Sequence, residues 1–232
     1  MLRDAILDAW AVLSPVQCAG CGADDRSLCL SCRSALVAVP TVRRVGDVEV
    51  HSALTYETVV RGVLIAFKQH GRTDVSSALG APLARALDAA IAAAVRRTGV
   101  DRLELALVPT SAAAWRRRGY DPVRLVVSRA GFRPRRVLRS TRSRAVQKSL
   151  GRAERSRNLA GAFVARGDLS GRQFVVVDDI LTSGATISEA VRAVRAAHGE
   201  VVGAATIAFT PRLLAIRDND GNEDYGGQKG AQ

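Results

Sequence analysis

Phe174-Val175-Val176-Val177-Asp178-Asp179-Ile180-Leu181-Thr182-Ser183-Gly184-Ala185-Thr186 is the stretch from which the rest of the chain can be read. Its four apolar residues, three of them β-branched, predict a strand buried on both faces. Two carboxylates follow at the carboxyl end of that strand. A small, hydroxylated turn comes next. Then Ile187, Ala190, Val191, Val194 and Ala197 recur at helical steps. In an open α/β sheet, ligands bind outside the carboxyl ends of the strands. A turn that opens a helix there points backbone N–H groups at an anion. Thr182, Ser183 and Thr186 add hydroxyl donors, and Gly184 allows a close backbone approach. One end of the stretch suits a phosphate. The acids suit the hydroxyls of a sugar or a metal ion.

Two other folds place paired acids after a buried strand. An ATPase would need a G-x-x-x-x-G-K-[ST] loop. The lysines are Lys68, Lys148 and Lys229, and no Gly directly precedes any of them. A receiver domain would not need the Thr-Ser-Gly-Ala-Thr turn. The thirteen residues resemble the signature with which type I phosphoribosyltransferases bind phosphoribosyl pyrophosphate (PRPP).

A chain of 232 residues can bury a sizeable core, and its hydrophobic content of 47% is ordinary for a globular protein. No uninterrupted apolar run approaches the ~20 residues of a membrane span. Met1-Leu2-Arg3-Asp4 leads into no long apolar run, so no signal peptide is expected and a cytoplasmic protein is. The net charge of +12 is unevenly placed: residues 116–157 alone sum to +13, leaving the remainder near −1. Such a segment favours polyanions, whether pyrophosphate, nucleotides or nucleic acid, or else is a solvated arginine-rich face.

Taken in order, residues 2–13 predict a short amphipathic helix. Cys18-x-x-Cys21 and Cys29-x-x-Cys32 follow, the only cysteines in the chain. Paired C-x-x-C knuckles fit a closed, structural four-thiolate zinc site, with redox cysteines as the alternative. Gly20 and Gly22 suit the knuckle turns. Residues 33–47 read as linker. Residues 48–56 predict a strand, and Val59, Val63, Leu64 and Phe67 a helix stopping near Gly71. Leu79, Leu83, Leu87, Ile91 and Val95 predict a helix over 77–95, its regular part beginning near Pro82. Residues 103–108 predict a strand, and Pro109-Thr110-Ser111 stops it. An arginine loop with Arg116, Arg117 and Arg118 comes next, then a helix from Asp121 to about Ala130. Short strands at 137–138 and 162–164 flank a basic, weakly periodic lid at 139–158. A final strand spans 200–208, and the chain from Asp218 reads as disordered tail. The alternation predicts an α/β fold: a mostly parallel sheet flanked by helices, with a small amino-terminal zinc-binding module. The expected division is 1–40 for the helix and zinc finger, 41–212 for the main domain and 213–232 for the tail.

From about Cys18 to Phe209 the chain resembles the ComF family, whose ComFC members are linked to competence for DNA uptake. The resemblance rests on the C-x-x-C pairs, Val108-Pro109 leading to Arg118-Gly119-Tyr120, Gln147-Lys148-Ser149-Leu150, Arg155-x-x-Asn158, Gly161-Ala162-Phe163 and the stretch quoted first. It implies a type I phosphoribosyltransferase using PRPP with Mg2+ and releasing pyrophosphate. Asp178 and Asp179 would face the ribose hydroxyls. Thr182, Ser183, Gly184, Ala185 and Thr186 would cradle the 5′-phosphate. The 109–120 loop would meet the pyrophosphate, and residues 139–158 would close over the reaction. Departures exist: the family's Arg-Gly-Phe-Asn reads Arg118-Gly119-Tyr120-Asp121, and residues 110–114 are small and neutral.

Displacement of pyrophosphate from ribose C1 needs positioning, Mg2+ and positive charge on the leaving group rather than a protein nucleophile. Arg116, Arg117 and Arg118 are the candidates for that charge, Arg118 as the catalytic one, with Arg142 or Arg144 from the lid. His51, His70 and His198 are expected to be bystanders. Two further readings stand beside the transferase. One is an accessory protein that binds single-stranded DNA or other nucleic acid through the zinc finger and the basic segment. Only Tyr120 and Phe132 are aromatic within 116–157, which is thin for base stacking. The other is a PRPP-sensing regulator without catalysis.

Overall fold

The computed structural model describes residues 16–24, 26–99, 102–141 and 159–211. The amino-terminal helix expected at 2–13, most of the lid at 139–158 with Arg142 and Arg144, and the tail lie outside the described residues.

Four fully buried residues, Phe174 to Val177, each at 0% exposure, hold the centre of the sheet. Burying each contributes about 1.5–3 kcal/mol. The alternation of the strand divides them between two cores. Val175 and Val177 face one apolar cluster, and Phe174 and Val176 face the other. This is the two-sided burial that a run of unbroken apolar residues predicts.

The elements in order are α1 (Leu30–Ser34), β1 (Thr41–Val45), β2 (Val48–Thr55), α2 (Thr58–Gln69), a 3-10 turn (Thr73–Val75), α3 (Ser76–Thr98) and β3 (Leu103–Leu107). There follow α4 (Ala112–Arg118), α5 (Pro122–Arg129), β4 (Leu138–Ser140), β5 (Phe163–Ala165), β6 (Gln173–Leu181), α6 (Ala185–Arg195) and β7 (Glu200–Phe209). The main sheet has the order β1-β2-β7-β6-β3. The pairs β2·β7, β7·β6 and β6·β3 are parallel, and β1 is an antiparallel edge strand on β2. β4 and β5 form a separate antiparallel pair. The expected α/β architecture is present.

Several boundaries differ from the sequence reading. β6 runs to Leu181, beyond the apolar run, because its pairing with β7 continues through Ile180↔Ala208 and Leu181↔Phe209. The acids therefore lie inside the end of the strand. Thr41–Val45, expected as linker, is the edge strand β1. Ala112–Arg118, expected as loop, is the helix α4, capped by Ser111 Oγ, which accepts from the Ala114 amide. Pro82 is inside α3, which begins six residues before it. Asp121 caps α5 as expected, its carboxylate accepting from the Arg124 amide at 3.1 Å.

The span Thr73–Thr98 is long and apolar enough to cross a membrane by length and composition, although no uninterrupted apolar run suggested it. In the fold it is a core helix. Leu79, Leu83 and Leu87 are fully buried in the cluster that also holds Val126 and Val127 of α5 and Ala205 and Ile207 of β7.

The cysteine segment is seated on this same core. Cys18, Leu28, Cys32 and Leu36 belong to the cluster of α2 and α3. Its base is tied by Arg72, whose guanidinium donates to the carbonyls of Gln17 and Ser27 and pairs with Asp74. Gly62 on α2 lets the knuckle approach: a Cβ there would stand 2.9 Å from the Gly20 carbonyl oxygen.

Candidate active site

Strand register brings the site together. Leu107 of β3 pairs with Val177 of β6, and the Val108 amide donates to the Val177 carbonyl. Pro109, Thr110 and Ser111 therefore leave the sheet beside Asp178 and Asp179. These residues line a cleft of about 520 Å3 at the carboxyl end of the strands. Lys68, Arg118, Ser140, Ala162, Phe163, Thr182 and Thr186 complete its wall. This is the position where open α/β sheets bind ligands.

The two acids differ in setting. Asp178 is 7% exposed, and its Oδ1 accepts from the Asp179 amide at 2.8 Å. The Asp179 carboxylate is more open and takes an ion pair: Lys68 Nζ stands 2.7 Å from its Oδ2. Asp178 and Asp179 both line the cleft.

Beyond them the chain turns at Gly184, with φ 78°, and enters α6. A Cβ on Gly184 would come within 2.8 Å of Val45 Cγ2. The glycine is thus required by its left-handed backbone and by the edge strand behind it. Thr182 and Ser183 are exposed on the turn, and Ser183 Oγ accepts from the Ala185 amide at 3.4 Å. No side chain caps α6. Of the turn, Thr182 and Thr186 line the cleft, and Ser183, Gly184 and Ala185 are not among its lining residues.

The three arginines separate. Arg118 lines the cleft, and its Nε donates to the Lys68 carbonyl at 2.6 Å. Arg116 and Arg117 are exposed on the last turn of α4 and are not among the residues lining the cleft. Tyr120 lies where the resembled pattern has Phe. Its hydroxyl donates to the Phe67 carbonyl, and its ring lies against Phe67 with centroids 5.6 Å apart. Burial pushes its phenol up, so it stays protonated and a donor. The Arg118-Gly119-Tyr120 segment therefore clamps the last turn of α2, the turn that carries Lys68.

Lys68 is the site residue that sequence reasoning missed. It follows an apolar helix face and lies more than a hundred residues before Asp179. No local pattern marks it. The three histidines line no part of the cleft.

At the far side of the cleft, Glu189 of α6 is buried and accepts from the Phe163 amide at 3.1 Å. Arg192 pairs with Glu189 and also donates to the Phe163 carbonyl. Burial pushes the Glu189 carboxyl up, but Arg192 and the Phe163 amide outweigh it and hold the group below its usual range.

Away from the cleft, the four cysteine Sγ atoms lie within 4.8 Å of one another. Cys21 Sγ and Cys29 Sγ are 3.8 Å apart. A tetrahedron with zinc–sulfur bonds of ~2.3 Å has edges of ~3.8 Å, so the cluster can hold zinc. The Cys29 amide donates to Cys18 Sγ at 3.4 Å. Burial pushes the Cys18 thiol up, yet that amide, the Cys21 and Gly20 amides and the Cys21 thiol draw it down to about 6. Burial and the neighbouring sulfurs push Cys32 up. Gly20 is needed because a Cβ there would meet Cys32 Sγ at 2.7 Å.

Residues 116–222 match the family described as phosphoribosyl transferase domain. Orotate phosphoribosyltransferase of Pyrobaculum islandicum is 42% identical over 53 residues, 23% of this chain and 28% of that protein. Its counterpart in Pyrobaculum aerophilum is 46% identical over 43 residues, 18% of this chain and 22% of that protein. The chain thus spans about a quarter of the length of these curated relatives. A solved adenine phosphoribosyltransferase from Rhodothermus marinus overlaps 54% of this chain and 69% of its own, at 18% identity and a TM-score of 0.26, which is a shallow overlap. The matched residues include the acids of β6, the turn and α6, so this part of the cleft is similar to a phosphoribosyl transferase domain.

Proposed function

We propose that the chain binds PRPP with Mg2+ and transfers its phosphoribosyl group to an acceptor, releasing pyrophosphate, as a transferase of the ComF type. Residues 41–212 are the transferase domain in this reading, and 1–40 a zinc-bearing module seated on it. One observation supports the reading: Asp178, Asp179, Thr182 and Thr186 line a single cleft at the strand ends. A carboxylate pair suits the ribose 2- and 3-hydroxyls, and a donor-lined helix start beside it suits the 5-phosphate.

Held at both ends, the ribose presents C1 to the remaining space of the cleft, by Pro109-Thr110-Ser111 and Arg118. As the C1–oxygen bond breaks, its electron pair leaves with pyrophosphate and positive charge grows on the ring. The acids stand on the sugar side and stabilise that charge. Arg118 faces the leaving group. An amine or ring nitrogen of the acceptor then forms the new bond to C1, and any proton it loses passes to the departing pyrophosphate or to water. Asp178 and Asp179 are the carboxylates that would help hold Mg2+, which when bound would supply charge neutralisation for the diphosphate. Cys18, Cys21, Cys29 and Cys32 would hold zinc in a closed structural role.

Calorimetry tests the binding step. PRPP with Mg2+ should give a saturable heat, and Asp178→Asn with Asp179→Asn should weaken it. A wild-type protein that gives no heat overturns the reading. A panel of bases and amines, scored by pyrophosphate release, then identifies the acceptor.

A further inference from the structure

Lys68 is the only lysine among the described residues, and it stands in the cleft. Its Nζ lies 2.7 Å from Asp179 Oδ2, and the two side chains are 27% and 17% exposed. Its backbone is fixed on two sides. The Lys68 carbonyl accepts from Arg118, and the preceding Phe67 carbonyl accepts from Tyr120. A four-carbon stem on a clamped helix end gives the ammonium a short, defined range of motion across the cleft. Arg118 lacks that freedom, because its Nε is committed to the Lys68 carbonyl.

The carboxylate that Lys68 holds is the one needed for the sugar hydroxyls. An ammonium has three donors and no acceptor. Two hydroxyls arriving at Asp179 compete for the same oxygens, and the diphosphate arriving beside them offers the ammonium a denser negative charge. We propose that Lys68 is a diphosphate-binding residue that exchanges partners. In the empty site it neutralises Asp179; when PRPP enters, it passes to the pyrophosphate oxygens and leaves Asp179 to the diol. Tyr120 is its positioning residue through the α2 backbone, and Arg118, besides lining the cleft, holds the Lys68 carbonyl. This inference rests on the PRPP reading above.

The exchange predicts effects of opposite sign. With Mg2+ present, binding of pyrophosphate, PRPP and ribose 5-phosphate is measured by calorimetry for wild type, Lys68→Met, Asp179→Asn and the double variant. Lys68→Met should weaken pyrophosphate and PRPP by about tenfold or more, the loss of one charge-assisted contact. Ribose 5-phosphate, which has no diphosphate, should bind it no more weakly than wild type. Asp179→Asn frees the ammonium and should tighten pyrophosphate while weakening PRPP. The double variant should lose that tightening. Lys68→Arg, which keeps the charge, should retain most of the affinity. Thermal melts report whether each variant is folded, and the Asp179→Asn arm stands without Lys68→Met. Unchanged pyrophosphate binding in both single variants overturns the exchange while leaving PRPP binding intact. A wild-type protein that binds none of the three ligands removes both readings.

Discussion

The carboxylate of Glu189 accepts a hydrogen bond from the backbone amide of Phe163, joining α6 to β5. The bond links the helix that opens after the turn at 182–184 to the strand whose Phe163 lines the cleft. Replacing Glu189 by Gln keeps the shape and removes the charge that also pairs with Arg192. A hydrogen bond to a charged group contributes about 1.5–3 kcal/mol, so the variant should lose stability on that order. Urea midpoints check it. Because Phe163 lines the cleft, PRPP affinity should fall as well, and a variant with wild-type affinity would show that the two walls hold their spacing without this contact.

Zinc content is a second test. The wild-type protein should hold about one zinc per chain, and Cys29→Ser should lose it, because a closed site has no spare ligand. The melting temperature should fall with the metal, since Cys18 and Cys32 are part of the core under α2 and α3. Metal analysis alongside calorimetric melts makes the comparison. A protein free of zinc and as stable as before would point to redox or idle thiols.

His51 sets a pH dependence. It is buried on β2, its Nδ1 has no hydrogen-bond partner among the described residues, and burial together with Arg97 and Arg96 outweighs Glu49 to push its pKa down. The unfolded chain binds the proton more tightly than the folded one. Stability is therefore complete above the unfolded value of about 6.5 and declines as the pH falls from there towards the folded value. His51→Leu should flatten the profile in that window. Carboxylates held down by arginine, such as Glu104 beside Arg172, lose their contribution at lower pH and are distinguishable for that reason. Melting temperature against pH for both proteins decides it.

What the sequence disclosed was local. The run Phe174–Val177, the acids after it and the period of α6 lie within one unit of strand, turn and helix, and their spacing alone places a site at a strand end. Asp121 and Pro122 announced α5 for the same reason. β1 was illegible because an edge strand with two arginines has half its pattern exposed and exists through pairing with β2. α4 was illegible because it has no buried residue and so no apolar period, although Ser111 was a visible cap signal. Arg116, Arg117 and Arg118 were all candidates in sequence, with Arg118 set apart as the catalytic one. A helical turn separates them, sending Arg118 to the cleft and the other two to solvent. Lys68 depends on long-range packing of α2 against the Arg118–Tyr120 segment.

Val45 stands behind Gly184, and Val45 lies far upstream of the residues that match the transferase family. So do β2, β3 and Lys68. The recognisable signature is consequently a sequence boundary and not a folding boundary. Cut at residue 116, the chain would bare the flank of β7 that meets β2 and the flank of β6 that meets β3. It would also remove Val45 from behind Gly184. Unpaired strand edges of that kind invite association with other chains. Heredity of the motif and autonomy of the fold are thus separate properties here.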